Sequence, residues 1–377
     1  MAMMLTDDQA MLCDTAREFL ADEGTIKKQL RHWRDTGCKD GFGHELWRRF
    51  AELGLNGVCI PESAGGLGLG AVEAGVVLEE IGRNLTPSPF LTTAVAAARA
   101  LDGSAQAERW FPGILSGETV AALAIDEGKH HAPEATAMVA KRQGNGFILS
   151  GAKQFVVHGA SADLILVAAR TAGSPGETDG ITLFAVERGA SGLDVENVAL
   201  ADSSTAARLS FDNVALDGDA VVGEVDGGWA PLSRALNAGR AGAAAELIGV
   251  AAGASNITVD YLKQRKQFGK LIGEFQALQH RAAHLYGEIE IARAAALKAA
   301  QLLDAGDPRA ELMTSVAKAK AARTAALAVQ EGVQMHGGIG MTDEHDIGLY
   351  MKREAVLSAL FGDPRYHANR VAILSGY

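Results

Sequence analysis

Residues 228–270 read GWAPLSRALNAGRAGAAAELIGVAAGASNITVDYLKQRKQFGK, and this stretch decides how the rest of the chain is divided. From about 229 to 264 it is long, rich in small apolar residues and free of strand alternation, which predicts one long helix ended by the turn at Gly269. Its most apolar part, Ala235–Ser255, holds Arg240 and Glu246, so it reads as a buried helix of a soluble protein rather than a membrane span. On its C-terminal side, three more helical segments are expected at about 273–304, 308–335 and 343–361. Gly273, Gly306–Pro308 and Gly337–Gly340 punctuate them. Four long helices with short joints imply a helical bundle.

The chain before this stretch has a different character. Gly146–Leu149, Gln154–Val157, Leu164–Ala168 and Ile181–Val186 are short strand-like runs separated by turns at Gly144, Gly151, Gly159, Gly180 and Gly189. That spacing predicts a small β-barrel or sandwich. Residues 5–120 read as helical again. Thr6 is placed to cap a helix carrying Met11, Ala16, Phe19 and Leu20. Helices are also expected at Glu45–Leu53 and Glu73–Gly82, with a strand-like Leu55–Ile60 leading to Pro61 and the loop GGLGLG at 65–70. The expected class is α+β in three domains: a helical domain at 1–118, a β-barrel or sandwich at 119–226, and a four-helix bundle at 227–377.

Composition narrows the function. The 377 residues carry a formal net charge of −11, which argues against nucleic acid and anionic membrane as partners. Cys13, Cys38 and Cys59 lie far apart without CxxC spacing. They read as reduced thiols of a cytosolic protein, not as a disulfide framework or a zinc site. No basic region followed by an apolar run marks a secretory signal.

Three glycine-rich or cationic segments draw chemistry. GGLGLG has the wrong spacing for G-x-G-x-x-G and no βαβ pattern follows it, so an ordinary turn is the simpler reading. HGGIG at 336–340 resembles an esterase oxyanion loop, but no G-x-S-x-G exists in the chain. It reads either as a helix-ending turn or as a backbone loop facing a phosphate or cofactor. Arg265-Lys-Gln-Phe-Gly-Lys, followed by Gln276, sits at a helix end. There its cations either complement the helix dipole or, with the aromatic and the glutamine, hold a pyrophosphate and stack a purine.

Arg265, Phe268, Gly269 and Gln276 resemble the R-x-x-F-G…Q signature of the acyl-CoA dehydrogenases. Gln334, Gly337, Gly338 and Gly340 resemble the Q-x-x-G-G-x-G segment of that family, with Thr342 and Glu344 following as T-x-E. Pro61, Gly65, Gly66, Gly68 and Leu69 resemble its P-x-x-x-G-G-x-G-L loop, and Gly151 and Lys153 its β-domain G-x-K strand. The motifs stand in the family's order and span nearly the whole chain. The resemblance implies FAD-dependent α,β-dehydrogenation of an acyl-CoA thioester, with FAD between the last two domains. Arg265, Phe268, Gln276, Gln334, Gly337 and Gly338 would bind FAD as an arm reaching a neighbouring subunit, and Phe155 and Val157 would lie at the flavin. It also implies an electron acceptor such as an electron-transfer flavoprotein and a homodimer, homotetramer or heterotetramer with a paralogue.

The sequence departs from the family at the base that takes the α-proton. The usual glutamate position holds Gly362, and the alternative one, before Arg240, holds Gly239. Glu246, seven residues on and on the same helix face, is the expected base, with Arg240 in support. Asp363 is the alternative base, and a structural ion pair is the alternative role for Glu246. The family's T-E-P loop reads here Asp126-Glu127-Gly128-Lys129-His130-His131, and its histidines read as a polar loop. Space left by the two glycines suits a bulky acyl group. The competing reading is a non-catalytic or half-site subunit that shares FAD with a paralogue, and an oxidase or monooxygenase on the same fold is a third.

Overall fold

The computed structural model describes residues 3–377. Helix α1, Asp7–Asp22, starts at Thr6, whose hydroxyl accepts from the Gln9 amide while the Gln9 side chain accepts from the Thr6 N–H. This reciprocal pair satisfies two amide donors that a helix start would leave exposed. Helices α2 (His44–Glu52), α3 (Ala71–Asn84) and α4 (Gln106–Ser116) follow. Leu55–Ile60, expected as a strand, is a 3-10 turn at Leu55–Gly57 and its continuation, buried at every position. A short apolar run reports burial, and periodicity alone does not tell a buried turn from a buried strand.

An eight-stranded sheet comes next: β1 (Ala121–Ala124), β2 (Val139–Gln143), β3 (Gly146–Val157), β4 (Leu164–Arg170), β5 (Ile181–Glu187), β6 (Leu193–Ala199), β7 (Thr205–Leu216) and β8 (Val221–Val222). Their order is β6-β7-β3-β2-β4-β5-β8, with β1 parallel to β4. Two expected strands are one: β3 runs through Gly151, with register shifts at Leu149/Gly151 and Lys153/Val156. Strands β1, β2, β6 and β7 lacked a clear signal, and β6 is largely exposed, so its alternation carries little apolar content. The β core packs Phe147, Leu149, Ile165, Val167, Phe184 and Val214, with Phe147 edge-on to Phe184.

The C-terminal part is helical: α5 (Trp229–Leu262), α6 (Gln276–Asp304), α7 (Ala310–His336), α8 (Ile347–Ala359) and a fifth helix not foreseen, α9 (Pro364–Leu374). Helix α5 alone among the described residues is long and apolar enough to cross a membrane, and 78% of its apolar window is buried, as in a core helix. The compact units cut across the sequence segments. One takes the chain up to His32, Ala71–Thr86 and Arg240–Tyr377; the other takes Trp33–Gly70 and Pro87–Gly239. Within the first, α3 and α5 cross backbone to backbone. A Cβ on Gly82 would stand 2.1 Å from the Glu246 carbonyl oxygen, and one on Gly249 1.9 Å from that of Glu79. Any larger residue would push the helices apart.

Candidate cofactor and thioester site

Arg265 lies just beyond the end of α5, where its amide donates to the Tyr261 carbonyl. A two-stranded hairpin follows, Lys266–Gln267 against Lys270–Leu271. Its turn is Phe268-Gly269, with φ of 52° and 79°. This kind of two-residue hairpin turn has left-handed backbone at both positions, and a phenylalanine there is strained. The ring is 92% exposed. Strain plus an exposed aromatic has no use within the chain's own core, and it fits a surface that stacks on a ligand. Gln276 opens α6 and is exposed, as are Arg265, Gln334, Gly337 and Gly338. Gly337 has φ 65°, and nothing lies within 4 Å of where Cβ atoms of Gly337 or Gly338 would stand, so a ligand can approach the main chain. The guanidinium and the open backbone loop could hold the phosphates of a dinucleotide, and the exposed ring could stack on its base.

Phe155 and Val157 belong to the other unit. Phe155 sits in the second β3 irregularity with φ 53°, half-buried, and Val157 is buried. The loop before them is more ordered than its sequence indicated. Lys153 is buried and donates to the Ile125 carbonyl and to Glu127, both at 2.8 Å. Burial pushes the Lys153 ammonium down and Glu127 opposes that. Glu127 also accepts from the Ala137 and Met138 amides, while His131 pairs with Asp126 at 2.9 Å. Of the two histidines, His130 is exposed and His131 is a loop fastener.

The carboxylates expected to act as bases have partners. Glu246 is 1% exposed, and its Oε1 accepts from Arg353 Nε at 3.0 Å and Nη2 at 2.5 Å. Two guanidinium hydrogen bonds onto one oxygen of a buried carboxylate stabilise its charged form, which is the geometry of the structural alternative. Asp363 is exposed and caps α9, accepting from the Arg365 and Tyr366 amides at 2.9 and 2.7 Å. Arg240 is 4% exposed. It donates to the Phe361 carbonyl at 3.3 Å and the Tyr366 hydroxyl at 2.8 Å, and lies 5.3 Å over the Tyr366 ring.

Gly362 is closed to a base. Its φ is 108°, and a Cβ would stand 2.4 Å from Tyr366 Cδ1 and 3.0 Å from His367 Nε2. Two groups nearby carried no sequence signal. Lys318 is wholly buried and donates to the carbonyls of Leu357, Ser358 and Gly362. Burial pushes its ammonium down to about 7, and the Arg240 charge adds to this. Glu354, which accepts from the Ser358 hydroxyl, is held above its ordinary value by burial.

Three family models match the chain in register: the acyl-CoA dehydrogenase N-terminal domain at 6–118, the middle domain at 125–214 and the C-terminal domain at 226–373. The chain belongs to the acyl-CoA dehydrogenase family. It is 30% identical to cyclohex-1-ene-1-carbonyl-CoA dehydrogenase of Geobacter metallireducens, over 95% of this chain and 94% of that one. The solved steroid ACAD Tcur3481-Tcur3483 superposes with a TM-score of 0.87 at 32% identity, covering 98% of both chains. Butyryl-CoA dehydrogenase from Megasphaera elsdenii superposes with a TM-score of 0.90 at 25% identity over the full length of both. This acyl-CoA dehydrogenase therefore uses FAD and an acyl-CoA substrate, and its reaction is the oxidation of a CH–CH bond.

Proposed function

We propose that this acyl-CoA dehydrogenase oxidises the Cα–Cβ bond of a thioester with a bulky, ring-bearing acyl group. The observation that carries the cofactor half of the reading is the Arg265 hairpin, with Phe268 strained and exposed at its tip, together with an open glycine loop at Gly337–Gly338. When bound, FAD supplies the acceptor for the β-hydride. The chain's own residues bind and orient: Arg265 would hold the pyrophosphate, and the Gly337–Gly338 backbone would hold phosphate oxygens. The relatives that act on a cyclohexene ring and on a steroid support the bulky acyl class. The space expected from the two glycines is not there at Gly362, where Tyr366 and His367 stand against the position a side chain would take.

An arm that serves a neighbour's cofactor implies an oligomer, and the reduced enzyme would pass electrons to an electron-transfer flavoprotein. Glu246 as proton acceptor, with Asp363 as the alternative, is the reading the sequence offers. The Arg353 fork on Glu246 and the capping role of Asp363 support structural parts for both. A second reading follows from the closure at Gly362: the proton acceptor comes from a second, paralogous chain, and this chain completes a shared flavin site.

The experiment is a flavin-reduction screen with acyl-CoA thioesters on the chain purified alone. Bound flavin at one per chain, bleached by a ring-bearing thioester, supports the first reading. Bound flavin that bleaches only after a paralogous chain is added supports the second. Arg265→Ala should lower flavin content after gel filtration, and Arg265→Lys should restore it in part, because an ammonium lacks the guanidinium fork. Full flavin content in Arg265→Ala would remove the arm from the binding site.

A further inference from the structure

At the root of the hairpin, three rings from three parts of the helical unit are in contact. Tyr261 lies in the last turn of α5, His336 is the last residue of α7, and His345 stands just before α8. The Tyr261 and His336 ring centroids are 4.6 Å apart, and those of His336 and His345 are 4.1 Å apart. Tyr261 also meets His345 edge-on at 6.3 Å. The Tyr261 carbonyl accepts the Arg265 and Gln264 amides, so the ring is anchored where the arm leaves the helix. His336 immediately precedes Gly337, where the open loop begins. The stack therefore ties the root of one cofactor-facing segment to the root of the other.

Burial favours the uncharged form of both imidazoles. His336 Nδ1 donates to the Gly332 carbonyl at 2.7 Å, and the ring also lies against the Ile257 backbone. His345 Nδ1 accepts from the Ile347 amide at 3.2 Å, a bond that leaves its proton on Nε2. We propose that Tyr261, His336 and His345 form a positioning element that holds the Arg265 arm and the Gly337–Gly340 loop in one flavin-binding geometry, and that it works with both imidazoles uncharged. The proposal rests on the cofactor reading of the arm.

The surroundings fix the sign. His336 faces Tyr261, His345, the Gly332 carbonyl and the backbone of Ile257, with no carboxylate among them. His345 faces His336, Asp346 and Arg31, and Arg31 pairs with both Asp346 and Asp343. Burial lowers the proton affinity of both rings, and the neighbouring His336 lowers that of His345 further. The stack is intact above the ordinary histidine range and fails as pH falls below it, when two imidazoles at contact distance would both be charged.

The test titrates FAD into the apoprotein of the full chain, followed by flavin fluorescence polarisation at pH 7.5 and 5.5, with melting temperature recorded in parallel. Wild-type affinity should fall by about tenfold or more between the two values, the effect of roughly 1.4 kcal/mol. His345→Phe keeps a ring but takes no proton, so it should lose most of that fall. Tyr261→Leu should weaken FAD at pH 7.5 already, and Tyr261→Phe should restore it. An unchanged fall in His345→Phe overturns the proposal. So does a Tyr261→Leu variant that melts lower yet binds FAD as wild type does, while Arg265→Ala binds it weakly. Undiminished binding by Arg265→Ala overturns the arm reading and the proposal together.

Discussion

Replacing Glu246 separates a structural carboxylate from a catalytic one. In Glu246→Gln the Arg353 guanidinium keeps a hydrogen-bond acceptor but loses its counter-charge. The Glu246 side chain is 2% exposed and that of Arg353 18%, so little water replaces the lost charge. Breaking one half of such a pair costs about 3 kcal/mol, toward the lower end of the usual range because Arg353 retains some solvent. Replacing both partners by apolar residues, as in Glu246→Leu with Arg353→Met, leaves no orphaned charge and should recover stability to within about 1 kcal/mol of wild type. The assay is urea unfolding of the holoprotein followed by helix signal, run beside flavin reduction by a good thioester at a temperature where every variant is folded. The expected outcome is a lower unfolding midpoint in Glu246→Gln, with flavin reduction retained by the folded fraction. Unchanged stability with reduction slowed on the order of 10²–10⁴-fold would refute the structural argument and make Glu246 the base.

Other outcomes follow from the same neighbourhood. Gly362→Ala should destabilise by about 2 kcal/mol or more, since it combines left-handed backbone with a collision against Tyr366, and an unfolding midpoint equal to wild type would contradict the closure. Gly362→Glu should for the same reason fail to install a working base. Lys318→Met should cost about 1–3 kcal/mol at pH 7 by orphaning three carbonyls. Its pH signature is distinctive: with the folded pKa pushed down to about 7, the unfolded chain binds more protons from there to the ordinary lysine value near 10.5. Wild-type stability should therefore rise with pH across that window relative to Lys318→Met, and a constant difference between the two would show that Lys318 does not titrate there.

Much of the architecture was legible because it rests on local periodicity. The helices flanking a run of short strands, the Thr6 cap and the turn at Gly269 are written within a few residues of where they act. The strands that lacked a signal, such as β6, take their place from pairing with β7 rather than from an apolar stripe of their own. The segment at Leu55–Ile60 carried burial without a period, and its turn conformation came from its surroundings.

The candidate site divides in the same way. The Arg265 arm and the glycine loop are contiguous motifs whose chemistry shows in the residue types alone. The missing side chains at Gly239 and Gly362 are equally visible. What fills the space around them is not. Glu246 and Arg353 are 107 positions apart, and Lys318 reaches carbonyls about forty residues away. Helical spacing told which face Glu246 shares with Gly239, but a face has no partner until other helices pack on it. By itself the sequence determined the order of helical, β and helical segments, the family and the cofactor, because each is carried by short-range pattern. Only the tertiary structure decided that Glu246 is clamped by a guanidinium, that Tyr366 closes the Gly362 position, and that three rings meet between the roots of the Arg265 hairpin and the Gly337 loop. Each of these depends on which helix faces meet, and a buried charge, a left-handed backbone or a stacked imidazole gains its energy only from that meeting.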